Sequence, residues 1–328
     1  MAASGTFKVF VSRTDIPPRA IQMLETKCVV TSVPCTPLNW LEMWPKYVHG
    51  MDALFIQHYE QINAKTLDMV GPRLQVVSTM SVHYGNIDLD ECRKRGIHVG
   101  NTQHVQNDAV AEVALALTLM ASRRIAEGID AIRAGNWTPA TDLSWLVGPE
   151  LVGKVAGIIG LGGIGMEIIN RLRAFKVRSF LYHNRRPRLD PMTHDIQYTT
   201  LKHLLCNSDI VVVCCPLNKD SQQMFNEKTF HLMKHTAVFI SISRREVVNE
   251  EALCQALQTG GIAFAALDAA GDTPMAVDSP LLKLSNCIVT PNMAADGRDT
   301  KVKTATMCAE NILAALENKY HAAANLLF

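Results

Sequence analysis

The sequence predicts an α/β protein built of two doubly wound, parallel-sheet domains. Three observations carry this. Short apolar runs alternate with helix-patterned segments along the whole chain. One run, Val155–Ile159, leads into a glycine turn and a helix. The length, 328 residues, exceeds what a single core commonly supports, about 250–300 residues.

The chain opens with the strand-like Val9-Phe10-Val11, then a helix from Pro18 to Leu24 with prolines suited to its first turn. Cys28–Thr31, Ala53–Ile56, Leu74–Ser78 and Ile97–Val99 read as further strands, with helices over Leu38–Tyr47 and Ala64–Val70. The first unit is placed at 1–106, completed by a returning helix in 299–328, and the second at 107–298. Ala109–Ser122 is a helix apolar nearly all round, which predicts burial between domains or between subunits. An amphipathic helix over Ile125–Ala134 and an arm-like loop, Asn136–Leu151, with Trp137 and Trp145 follow; the apolar helix Ala109–Ser122 and this Trp-bearing arm predict a homodimer.

Val155–Gly165 organises the rest. Gly160, Gly162 and Gly165 fit G-x-G-x-x-G between a strand and a helix read over Met166–Phe175, the context the dinucleotide fingerprint requires. The first glycine makes the tight turn, the second admits a pyrophosphate, and the third lets helix and strand approach. The helix N-terminus offers unpaired N–H groups to the phosphates. Beyond it, Ser179–Tyr182, Ile196–Thr199, Ile210–Cys215, Ala237–Ser241, Ala263–Asp268 and Cys287–Thr290 read as strands. Helices are expected over Leu201–Leu205, Glu250–Thr259 and Thr300–Glu317.

An NAD site places Asp or Glu at the end of the second strand, about 20 residues past the glycines. Here that stretch is Tyr182-His-Asn-Arg-Arg-Pro-Arg188, and no acid is present. Arg185 and Arg186 can receive a 2′-phosphate, so NADP(H) is favoured over NAD(H).

Net charge is +1, which offers no basic field for nucleic acid. No apolar run approaches the roughly 20 residues that span a bilayer. Nine scattered cysteines without a C-x-x-C pair fit buried thiols in a reducing compartment. With no secretory signal pattern at Met1–Phe10, the expected location is cytoplasmic.

Five stretches carry a resemblance: Val77–Val82, Lys94–Gly100, Gly160–Gly165, Phe239–Val248 and Leu267-Asp268. On these the chain resembles the D-2-hydroxyacid dehydrogenases, most of all their glyoxylate/hydroxypyruvate reductase branch. The resemblance implies a flavodoxin-like lid domain over a Rossmann dinucleotide-binding domain, a dimer, and hydride transfer between NADPH and a small 2-oxo acid. It places the cofactor against Gly160, Leu161, Gly162, Gly163, Ile164 and Gly165, then Asn184, Arg185, Arg186, Cys215, Pro216, Ile242 and Asp268. It assigns the substrate carboxylate to Val82, His83 and Arg244.

The pattern then breaks. Arg244 stands at the family's catalytic Arg, whose planar fork grips carboxylate and carbonyl. At the family's proton-donating His stands Asn292, and at its Glu partner stands Thr273, with Asp272 one residue early. The glycine of the carboxylate loop is His83, and the glycine after the Arg is Arg245. An amide delivers no proton near neutral pH, and a Glu that tunes the His has no task once the His is gone. Three readings follow. The first is a nucleotide-binding homologue with impaired or lost turnover, and the second an active reductase with His83 or Asp272 as replacement acid. The third is a non-catalytic, nucleotide-sensing interaction protein.

Overall fold

The alternation of strands and helices closes into two separate parallel sheets in the computed structural model, which describes residues 7–137, 144–188, 196–269, 271, 274–323 and 325–328. The chain divides into two units, residues 1–106 with 297–328, and residues 107–296.

Unit 1 holds five strands: β1 (Phe7–Val11), β2 (Cys28–Ser32), β3 (Ala53–Ile56), β4 (Val76–Thr79) and β5 (His98–Gly100). They are parallel in the order β2-β1-β3-β4-β5. The strand period of two sends Phe10, Leu54, Ile56 and Val77 to one face, against Trp44 and Leu67. It sends Val9, Val11, Phe55 and Val76 to the other, against Leu24 and Ile312. Both faces are covered, so the strands read as unbroken apolar runs. The helices are α1 (Pro18–Glu25), α2 (Trp40–Tyr47), α3 (Ala64–Val70) and α4 (Leu89–Lys94), joined by Arg298–Leu316 from far along the chain. Helix α2 starts two residues later than its sequence pattern, leaving Leu38 almost wholly exposed. Helix α4 gives little signal, because only Cys92 is buried and its start rests on the Asp88 side chain, which accepts from Glu91 N.

Unit 2 begins with α5 (Asn107–Ser122) and α6 (Ile125–Arg133). It continues with β6 (Val155–Ile159), α7 (Gly163–Ala174), β7 (Ser179–His183), β8 (Ile196–Tyr198), α8 (Leu201–Asn207) and β9 (Ile210–Val213). Then come α9 (Glu227–His231), β10 (Val238–Ser241), α10 (Glu250–Gln258), β11 (Phe264–Asp268) and β12 (Cys287–Thr290). The seven parallel strands run β12-β11-β10-β9-β6-β7-β8. Helix α7 starts three residues before the expected Met166, since Gly162 is already its N-cap. Helix α5 buries Ala111, Ala114, Leu117 and Ala121 against the α7 side of this sheet. Helix α6 buries none of its residues and shows Ile125, Ile129 and Ile132 to the outside. Trp137 and Trp145 are also exposed. The helix closing unit 1, Arg298–Leu316, is α11.

Candidate nucleotide and 2-oxo acid site

Strand order in unit 2 reverses direction at β6, with β7 on one side and β9 on the other. Ligands of open parallel sheets bind outside the carboxyl ends at such a reversal. The glycine turn follows β6, and Cys214–Cys215 follow β9. Gly160 has φ +95°, and a Cβ there would fall 2.6 Å from Cys215 N and Cα. A Cβ on Gly165 would fall 2.9 Å from Gly160 O and 3.2 Å from Ile158 Cγ2. At Gly162 a Cβ would meet nothing within 4 Å, so this backbone stands open to a phosphate. Each glycine thus has the environment its role in dinucleotide binding demands. Gly163 has a local reason of its own, since a Cβ there would lie 2.3 Å from Asn107 Nδ2.

The turn is clamped from both neighbouring strands. Asn184 Oδ1 accepts from Leu161 N at 2.7 Å, and Asn184 Nδ2 donates to Leu161 O at 3.2 Å. The Asn184 amide is therefore engaged with the glycine loop itself. The Cys214 thiol donates to Gly160 O at 3.1 Å, and burial pushes both Cys214 and Cys215 thiols upward, away from the reactive thiolate. Ser243 Oγ donates to Cys215 O at 2.9 Å. Pro216 O accepts from Ser221 Oγ at 2.8 Å, and Ile242 N donates to Val213 O at 3.0 Å. Ile164 packs against the α7 side of the core. Arg185 and Arg186 are exposed just beyond β7.

Arg244 follows β10 as the N-cap of the short 3-10 turn Arg245–Val247. It is about one-third exposed and lies 3.5 Å from Glu246 Oε1. Arg245, in place of a glycine, turns to Glu250 with Nε 2.7 Å from Oε1. Asp268 closes β11 and is 3% exposed. Its carboxylate accepts from Thr290 Oγ1 at 2.7 Å, from Met293 N at 2.9 Å and from Ala294 N at 2.9 Å. The turn after β12 that carries Asn292 thus rests on Asp268. Asn292 itself is exposed with φ +51°. Asp272 and Thr273 lie outside the described residues.

In unit 1, Val82 and His83 follow β4. His83 N donates to Ser81 Oγ at 3.0 Å. The backbone at His83 is not in the left-handed region, so replacing a glycine there strains nothing. No sequence pattern marks Glu60, which is fully buried past β3. Its Oε2 accepts from Gln57 N at 2.5 Å. Burial pushes its carboxyl up to about 7, against the opposing pull of Ser12, the Gln57 N–H and Arg13. Arg13 is paired to Asp15 through Nε at 2.6 Å.

No group of three or more His, Cys, Asp or Glu able to hold a metal occurs among the described residues, and no described helix is long and apolar enough to cross a membrane.

Residues 115–294 match the family described as D-isomer specific 2-hydroxyacid dehydrogenase, NAD binding domain. The human glyoxylate reductase/hydroxypyruvate reductase is 39% identical over 284 residues, 86% of this chain and 85% of that protein. The glyoxylate reductase of Thermofilum pendens is 36% identical over 320 residues, 95% of this chain and 92% of that protein. Among solved structures, the TT0316 protein of Thermus thermophilus superposes with a TM-score of 0.88 at 31% identity, covering 98% of this chain and 100% of that one. An NADPH-dependent glyoxylate/hydroxypyruvate reductase of Sinorhizobium meliloti, in complex with NADP and malonate, superposes with a TM-score of 0.80 at 25% identity, covering 98% and 97%. With that family's nicotinamide-dinucleotide domain, its two parallel-sheet units and these relatives, the chain belongs to the D-isomer specific 2-hydroxyacid dehydrogenases.

Proposed function

We propose that the protein binds NADP(H) in unit 2, accepts a small 2-oxo or 2-hydroxy carboxylate, and reduces it slowly or not at all. One observation carries the reading. The glycine turn and Arg244 are intact, while an amide, Asn292, stands on the Asp268-anchored turn where the family resemblance implies an imidazole. A nicotinamide dinucleotide bound at the turn supplies the reducing equivalents. Gly160–Gly165 and the α7 N-terminus hold its phosphates, and the exposed Arg185 and Arg186 supply charge for a 2′-phosphate. The substrate-binding role of Arg244 is to pair with the carboxylate through its planar fork, in competition with Glu246. Asn292 donates a hydrogen bond to a carbonyl oxygen but gives up no proton. General acid catalysis is worth about 10²–10⁴-fold, or roughly 3–5 kcal/mol of barrier. That is the rate this chain forgoes.

The occupied pair in the carboxylate loop, His83 N with Ser81 Oγ, supports weakened carboxylate capture as well. The bare face of α6 supports a homodimer through Ile125, Ile129 and Ile132. Calorimetric titration with NADPH, joined to a sensitive NADPH-oxidation assay on glyoxylate and hydroxypyruvate, tests the whole reading. NADPH binding without appreciable oxidation is expected. Rapid oxidation would overturn impaired turnover, and absence of NADPH binding would overturn the cofactor assignment.

A further inference from the structure

The loop that the proposed reading gives to the substrate carboxylate is held through its carbonyls. Thr102 N donates to Ser81 O at 3.1 Å, and Asn101 Nδ2 donates to Val82 O at 2.8 Å. A trans peptide sets its N–H opposite its C=O. Fixing the carbonyls of Ser81 and Val82 toward residues 101–102 therefore turns the N–H groups of Val82 and His83 away from them. Those are the groups a carboxylate must meet, the His83 N–H in competition with Ser81 Oγ.

Asn101 is fully buried and every one of its polar atoms is used. Its Oδ1 accepts from Asn325 Nδ2 at 2.5 Å, its O accepts from Asn311 Nδ2 at 3.0 Å, and its N donates to Asn325 O at 3.2 Å. Asn311 Oδ1 accepts in turn from Asn325 N at 2.7 Å. A side-chain amide has one accepting and one donating end. With Asn325 at the accepting end, the donating end of Asn101 is left for Val82 O. Close approach is built in as well, because a Cβ on Gly100 would fall 2.8 Å from Asn311 Nδ2. Three asparagines, from the end of β5, from α11 and from segment 325–328, thus form one satisfied buried network, of the kind that fixes a single geometry.

We propose that Asn101 is the positioning residue of the carboxylate loop, and that Asn311 and Asn325 set its orientation. Affinity for small 2-oxo or 2-hydroxy carboxylates is then governed from α11 and segment 325–328, through the direction in which they hold the Asn101 amide. The inference rests on the proposed reading of Val82–His83 as the carboxylate loop.

Asn325→Ala tests it on the full chain, since the bond from Asn325 N to Asn311 survives this change. Two readouts are used, with Asn101→Asp as second variant, which puts an acceptor against Val82 O. Hydrogen–deuterium exchange across residues 80–84 should quicken by about fivefold or more, the equivalent of one lost hydrogen bond, while residues 155–170 stay unchanged. Oxalate binding to the NADPH-loaded protein should weaken by about fivefold in Asn325→Ala and further in Asn101→Asp, with NADPH affinity unaltered. Unchanged exchange at 80–84 overturns the proposal. So does a lower melting temperature with oxalate affinity intact, the mark of a purely structural network. If the unaltered protein binds NADPH but no oxalate, the carboxylate assignment under the proposed function fails, and the exchange result alone decides whether Asn325 positions the loop.

Discussion

Asp268 Oδ2 accepts from Ala294 N at 2.9 Å, across from β11 to the turn that follows β12. With Met293 N and Thr290 Oγ1 on Oδ1, one buried carboxylate holds the segment that presents Asn292. Asp268→Ala strands two N–H donors and a hydroxyl. It should cost about 2–4 kcal/mol in urea unfolding, and Asp268→Asn should cost less. A loss below about 0.5 kcal/mol, the level of an ordinary surface change, would contradict this account.

The backbone at position 292 suits a rescue. Asn and His are both among the residues found at positive φ, so Asn292→His retains the turn. The unaltered chain should reduce glyoxylate and hydroxypyruvate far below the common enzyme median of about 10 s⁻¹. Asn292→His should raise the rate at least about tenfold. Adding Thr273→Glu should gain more than the sum of the single changes, since a carboxylate acts there only through the imidazole. A rate near the median in the unaltered chain would instead point to His83 as acid, and His83→Ala would then abolish it.

Arg185 and Arg186 changed together to Ala should weaken NADPH by about tenfold or more and NADH by little, since charge-assisted bonds to phosphate are lost only with the former. Calorimetry with both cofactors measures this. Equal losses would remove the 2′-phosphate from the account.

Glu60 makes the stability of unit 1 fall with pH. Its carboxyl is raised from the ordinary 4.5 to about 7 by burial. Between those values the folded chain binds more protons than the unfolded one. This stabilisation is whole below about pH 4.5 and disappears as pH rises through 7. Glu60→Gln should remove that slope, which amounts to about 3 kcal/mol. Parallel melting curves for the two proteins from pH 5 to 8 would refute it.

The exposed stripe of α6 predicts association. Light scattering at micromolar concentration should give the mass of a dimer, and Ile129→Glu with Ile132→Glu should give a monomer that still binds NADPH. A monomeric mass for the unaltered chain would end this proposal.

Where the physics is local, the sequence discloses the fold. Val155–Ile159 reads as a strand because five apolar residues run into a glycine turn, and its bounds in the structure are the same. Cys287–Thr290 is found equally well. Helix α9 is not legible although Asn226 and Thr229 form a capping box, because five residues are too few to show a period. Within the site, Gly160 and Gly165 are legible because no Cβ fits at either, and Gly162 is legible through its spacing between them. The anchoring by Asp268 and the Asn101–Asn311–Asn325 set are not, because each partner lies far off in sequence and no spacing rule links a buried amide to a carbonyl it meets only after folding.

Helix α11 belongs to unit 1, and its Ala305, Cys308, Ala309 and Ile312 complete the core under Val9, Phe55 and Val76. In chain order, all of unit 2 lies between these two halves. During synthesis the strands of unit 1 leave the ribosome first but wait, with one sheet face covered by α1 alone, until residues beyond 297 emerge. Unit 2, being continuous, can close in the meantime. The earlier part of the chain is thus the later part to mature, and the half-built sheet is the species that a chaperone would have to shield.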